Sequence, residues 1–211
     1  MSPRAYKLGE RQAATEETRA RIIAAARKLL TAPDGIAAFT LDAVAREAGV
    51  ARMTVYYQFG SKPGLLEKLY DDLGEKELVP RLQTVFAEKD GVAALGALID
   101  AFSGFWASEQ LLTRRLRALA RLDPEVEQGI QRRDYWRRQH LHNVLARAAQ
   151  TNKHFAKSLS SETEAVLYSL TSFEYFDTLA GLGDPETASG LVKSLAFQVL
   201  GLHPFTRTAG K

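Results

Sequence analysis

Apolar residues recur at helical spacing through nearly the whole chain, and no segment alternates apolar with polar for long enough to make a strand. In TEETRARIIAAARKLLTA, Ile22, Ile23, Ala26, Leu29 and Leu30 share a face, with Thr15 as cap and acids in the first turn. Pro33 and Gly35 end that helix. Thr40 can cap the next, LDAVAREAG, whose inner stripe is Leu41, Val44, Ala45 and Ala48 and which Gly49 closes. A short helix is expected from Ala51 to Phe59, and Ser61 caps another that begins near Lys62. Longer helices follow: PGLLEKLYDDLGEKELV, broken or bent around Pro80; VAALGALIDAFSGFWASE; LLTRRLRALARL, ended by Asp123-Pro124; and EVEQGIQRRDYWRRQHLHNVLARAAQ. SETEAVLYSLTSFEYFDTLAG and PETASGLVKSLAFQVLG close the series, separated by the turn over 181–185. The expected fold is all-α.

Composition narrows the chemistry. The 211 residues include no cysteine, which removes disulfide frameworks, thiolate zinc sites and cysteine nucleophiles and fits a reducing compartment. The opening MSPRAYKLGERQAATEETR lacks the apolar core of a leader, and no run of 18 or more apolar residues suggests a membrane span. The expected location is the cytoplasm. The net charge is +3, and it is unevenly placed: residues 1–62 hold 10 of the 28 Lys/Arg but only 6 of the 25 Asp/Glu. The positive charge therefore sits in the N-terminal third, as expected if that third meets a polyanion.

The stretch GVARMTVYYQFGSK, Gly49 to Lys62, indicates how. Two short helices joined at a glycine make a helix-turn-helix, whose second helix enters the DNA major groove. At about 100° per residue, Val55 and Phe59 fall on one face and Tyr57 directly opposite, with Met53 and Thr54 beside it. Arg52 and Tyr56 lie on the flank. Arg52 can pair with guanine or clamp a phosphate, while Thr54 and the Tyr57 hydroxyl can donate to phosphate oxygens. Tyr56 and Met53 can pack on thymine methyl groups. Lys62 adds a cation at the start of the next helix, and Thr40 is placed for the other side of the groove. A half-core role for Tyr56 and a solvated surface for the others stand as the alternatives. Arg4, Lys7 and Arg11 could reach a minor groove, or belong to a solvated tail.

FTLDAVAREAGVARMTVYYQFGSKPGLL resembles the DNA-binding segment of the TetR family of bacterial transcriptional regulators. The matching positions are Thr40, Ala48-Gly49-Val50, Ala51-Arg52-Met53-Thr54, Tyr56-Tyr57, Phe59, Ser61-Lys62 and Leu65-Leu66, and the resemblance covers roughly residues 16–68. Met53 stands where the family has mostly Gly, Ala51 replaces a common Ser, and Gln58 stands where His or Tyr is frequent; these departures bear on which bases are read. The resemblance implies a three-helix DNA-binding domain over 15–62, flexible tails at 1–14 and 204–211, and a ligand-binding and dimerisation domain of about nine helices over 63–203. It implies DNA contacts from Thr40, Ala51, Arg52, Met53, Thr54, Tyr56, Tyr57 and Lys62. It further implies a homodimeric repressor on a palindromic double-stranded operator, released by a largely apolar small molecule.

The larger domain is less explicit. The last two helices carry apolar faces too broad for one partner, and Val166, Leu170, Phe173, Leu191, Leu195 and Val199 are the candidate dimer contacts, with a larger internal core as the alternative. Phe102, Phe105, Trp106, Tyr135, Trp136 and Tyr168 suit a pocket for a mostly apolar ligand, and equally suit plain core. His140 and His142 fall on different helix faces, so no metal site is assigned and no cofactor is expected. Arg114, Arg117 and Arg121 form one stripe and Arg133 and Arg137 another, expected as solvated, salt-bridged faces or a site for an anion. No catalytic motif is present, so no enzymatic activity is expected. The rivals are a regulator answering to a protein partner without a ligand pocket, and an all-α enzyme or carrier.

Overall fold

The computed structural model describes residues 3–202, with side chains from Gln12 onward except His154. Every regular element among the described residues is helical: α1 Pro3–Thr31, α2 Gly35–Ala38, α3 Leu41–Ala48, α4 Arg52–Phe59, α5 Lys62–Leu73, α6 Val79–Ala87, α7 Gly91–Ser108, α8 Gln110–Ala120, α9 Pro124–Thr151, α10 Lys153–Ser158, α11 Ser161–Leu170, α12 Phe173–Leu182 and α13 Pro185–Val199. The chain divides into two compact units, Met1–Leu73 with Arg114–Ile130, and Gly74–Thr113 with Gln131–Lys211. The smaller unit thus takes in α5 and a later segment, 114–130, both expected in the C-terminal domain.

In the smaller unit α1 packs on α3 and α5, and α4 packs on both α3 and α5. The core is Ile22, Ala26 and Leu30 of α1 with Phe39, Val44, Val55 and Leu65, each almost wholly buried. α1 starts at Pro3 rather than at Thr15; the side chains of Arg4, Lys7 and Arg11 lie outside the described residues, as does the predicted tail at 204–211. Arg115 donates to the carbonyls of Leu30 and Ala32, supplying acceptors at the C-terminal end of α1 with a partner. No local pattern marks Arg115 for that task.

In the larger unit α7 is the central helix. It packs on α6, α12 and α13, and Leu95, Leu98, Ile99, Phe102, Phe105 and Trp106 are all buried. By length and composition α7 could cross a membrane, but most of it is buried within this unit. Two departures from the sequence pattern have local causes. Pro80 has no N–H to continue the ladder, and a π turn, Gly74–Leu78, precedes it. The helix expected to run unbroken over 161–181 stops at Thr171 and restarts at Phe173, because the Ser172 side chain accepts from the Tyr175 amide at 3.2 Å and caps α12.

The C-terminal end of α11 at that break is tied to two other helices. Arg137 of α9, almost completely buried, donates to the Tyr168 carbonyl at 2.7 Å and to the Thr171 hydroxyl at 2.9 Å. Trp106 of α7 donates its indole N–H to the Thr171 carbonyl at 3.2 Å. The guanidinium also lies 3.9 Å from the centre of the Tyr168 ring. Arg137 is therefore a structural cation inside this unit and not part of a solvated stripe.

Candidate nucleic-acid interface and effector region

The interface is assembled by local rules. Thr40 caps α3 by accepting from the Ala43 amide at 3.1 Å. Gly49 ends α3 at φ 65°, a left-handed conformation that glycine adopts without penalty, and the Val50 amide returns to the Ala45 carbonyl at 2.9 Å. That closure turns the chain directly into α4, with Ala51 at its N-cap. Ser61 then caps α5 by accepting from the Gly64 amide at 3.1 Å.

The faces of α4 fall where the spacing predicts. Val55 and Phe59 are buried, whereas Met53 is 51% exposed, Tyr56 54% and Tyr57 81%. Thr54 is half-buried beside them, and Ala51 is exposed. Behind the helix, the Arg19 guanidinium lies 5.3 Å from the centre of the Phe59 ring. Arg52 is exposed and pairs with Asp42 of α3, N to O 3.4 Å. A pair this exposed is worth less than about 1 kcal/mol, so Arg52 gives up little by turning to another anion.

Lys62 is less free than expected. It is half-buried, donates to the Phe39 carbonyl at 3.1 Å and lies 5.2 Å from the centre of the Phe39 ring. It therefore ties the start of α5 to the segment leading into α3, in addition to any service to a phosphate. Thr40, Ala51, Arg52, Met53, Thr54, Tyr56 and Tyr57 all belong to α3–α4 or their caps, within one compact unit.

The predicted pocket aromatics do not form one group. Phe102, Phe105 and Trp106 pack against one another along α7, and Trp106 meets Phe173 edge-on at 5.6 Å. Tyr135 and Trp136 stand on the surface of α9, and Tyr168 is half-buried under Arg137. The candidate dimer residues also separate. Leu170 and Phe173 are buried in the larger unit's own core, while Val166, Leu191 and Val199 are exposed and Leu195 is half-buried.

An open cleft of about 70 Å³ in the larger unit is lined by Val85, Phe86, Leu98, His140, Asn143, Val144 and Arg147. Burial holds the His140 imidazole below its ordinary pKa. His142 faces elsewhere and lies 3.1 Å from Glu164. Among the described residues no group of three or more metal-ligating side chains comes together.

Residues 22–69 match the family described as bacterial regulatory proteins, tetR family. The rest of the likeness is structural. A TetR transcription regulator from Haloarcula marismortui superposes with a TM-score of 0.69 at 20% identity, over 88% of this chain and 97% of that one. NalD of Pseudomonas aeruginosa, the secondary repressor of the MexAB-OprM multidrug efflux pump, gives 0.65 at 21% identity, over 93% and 100%. A Saccharomonospora viridis protein solved in complex with choline gives 0.67 at 15% identity, over 85% and 95%. No curated protein sequence matches the chain.

Proposed function

We propose that this TetR-like chain is a sequence-specific transcriptional regulator, a homodimeric repressor of the cytoplasm released from a palindromic operator by a small molecule. The observation that carries the reading is the outward face of α4. Three large side chains, Met53, Tyr56 and Tyr57, stand exposed on the second helix of a helix-turn-helix while Val55 and Phe59 anchor it from behind. A helix rigid on one side and rich in exposed groups on the other suits base-edge and phosphate contacts in a major groove. In this reading Thr40, Arg52, Thr54 and Tyr57 hold the phosphates and edges, and Met53 and Tyr56 meet thymine methyls.

Dimerisation is supported by the apolar run Leu191, Leu195 and Val199 along α13, with Val166 on α11 exposed as well. A two-fold axis lays such a face on its own copy and sets two α4 helices on half-sites of one palindrome. An effector then acts through its differential affinity for the binding-competent and incompetent states. The test is selection of bound duplexes from a random library, followed by sequencing. An enriched palindrome is the expected result; binding that is only salt-sensitive and unselective contradicts the reading.

A further inference from the structure

The cleft on α6, α7 and α9 has a chemistry of its own. Its α9 wall is His140, Asn143, Val144 and Arg147, spaced i, i+3, i+4 and i+7 along one face of the helix. Val85 and Phe86 of α6 and Leu98 of α7 complete it. Arg147 is the only cation among these seven residues.

That guanidinium is half-buried and under-satisfied. Its Nη2 donates to the Val85 carbonyl at 3.1 Å, its Nε is buried without an acceptor, and no carboxylate among the described residues pairs with it. Guanidinium has five N–H donors in a fork that matches a carboxylate. Asn143, exposed beside it, adds an amide.

The rim is aromatic. Phe86, 60% exposed, lies 5.7 Å from the His140 ring, and Trp136, 63% exposed, lies 6.2 Å from the same ring one turn back along α9. Phe86, His140 and Trp136 thus make an apolar shelf that continues from the cleft. Exposed aromatic surface adjoining an unpaired cation is a two-part recognition element.

We infer that this cleft binds a small monocarboxylate carrying an aryl or short aliphatic tail, with the carboxylate on Arg147 and Asn143 and the tail along Val85, Leu98 and the Phe86–His140–Trp136 shelf. The inference deepens the ligand-responsive part of the proposed function and rests on it. At about 70 Å³ the cleft is far smaller than an ordinary ligand site, so it takes the carboxylate end of the molecule and leaves the tail on the open shelf. A cationic ligand is disfavoured by Arg147.

The test is titration of the purified full chain with 4-phenylbutyrate and octanoate, and with 4-phenylbutan-1-ol and octan-1-ol as neutral counterparts. Binding is read by calorimetry and by tryptophan emission, to which Trp136 contributes one of the two tryptophans. At least one acid should bind about tenfold or more tighter than its alcohol, the scale of one hydrogen-bonded charge. Arg147→Gln should abolish that preference while the alcohol's affinity stays the same. Arg147→Lys, which keeps the cation, should retain part of it and guards against a merely misfolded Gln variant. Equal affinity for acid and alcohol, no saturation by either acid below about 10 mM, or an unchanged preference in folded Arg147→Gln overturns the inference. Operator binding is measured in parallel. Acid binding that leaves DNA affinity unchanged keeps the site and refutes the release mechanism, whereas selective DNA binding without acid binding refutes the site alone.

Discussion

Gly64 marks a close approach between α4 and α5. A Cβ built there lies 2.2 Å from the Phe59 carbonyl oxygen, against the 3.4 Å at which ordinary contact begins, a deficit of 1.2 Å. The obstacle is backbone at the last residue of α4, so no side chain can swing aside; α5 or the end of α4 must move. Overpacking of that kind costs about 1–3 kcal/mol. Replacing a helical glycine by alanine returns about 0.5–1 kcal/mol at most. Gly64→Ala should therefore destabilise by about 1–2 kcal/mol and lower the melting temperature by roughly 2–8 °C in a chain of this size. Gly74→Ala is the matched control, because nothing lies within 4 Å of a Cβ there and the substitution should leave the melting temperature unchanged or raise it. Both are read by circular dichroism melts at one protein concentration. A Gly64→Ala protein that melts at or above the wild-type temperature refutes the close approach of α4 and α5.

Three further outcomes are expected. Lys62→Ala should cost about 1 kcal/mol through the lost bond to the Phe39 carbonyl and lower the salt dependence of DNA binding by about one per subunit, whereas a lowered melting temperature with an unchanged salt slope assigns Lys62 to Phe39 alone. Leu191→Asp should convert a dimer to monomer in sedimentation without changing helix content; a dimer that survives it moves the interface elsewhere. For His140, burial depresses the folded-state pKa, so its contribution is complete above the unfolded value of about 6.5 and is lost as the pH falls through 6.5 toward the lower folded value. His140→Gln should flatten that portion of the melting-temperature profile, and an unaltered profile would place the pH dependence in another group.

Local signals in the sequence were enough for the helix-turn-helix. Thr40, Gly49 and Ser61 act as caps and turn because their side chains or backbone freedom serve neighbours within three or four residues. The faces of α4 follow from helical geometry alone, which is why Tyr57 emerges outward and Val55 inward. What the pattern misjudged depends on partners far along the chain. Arg137 reads as one member of a solvated stripe until Tyr168 and Thr171 are brought to it across more than thirty positions. Arg115 carries no cue at all, since its acceptors at Leu30 and Ala32 lie some eighty residues away. The aromatic set is divided between core and surface for the same reason. Phe102, Phe105 and Trp106 lie on the buried faces of a helix that is mostly covered, while Trp136 stands on the open face of another.

The break between α11 and α12 has a consequence for descent. Trp106 and Arg137 come from two separate helices, yet both donate to Thr171 at the break, Trp106 to its backbone carbonyl and Arg137 to its hydroxyl. A lineage that loses Trp106 or Arg137 first passes through a protein with a stranded acceptor at the break, at a cost of about 1–3 kcal/mol. The two donors are therefore expected to resist replacement, whereas the carbonyl at position 171 is kept whatever residue stands there. The exposed Leu182 at the far end of α12 carries no such obligation and is free to diverge singly. Among descendants of this sequence, the junction should act as a ratchet, holding the break in place while the surfaces around it drift.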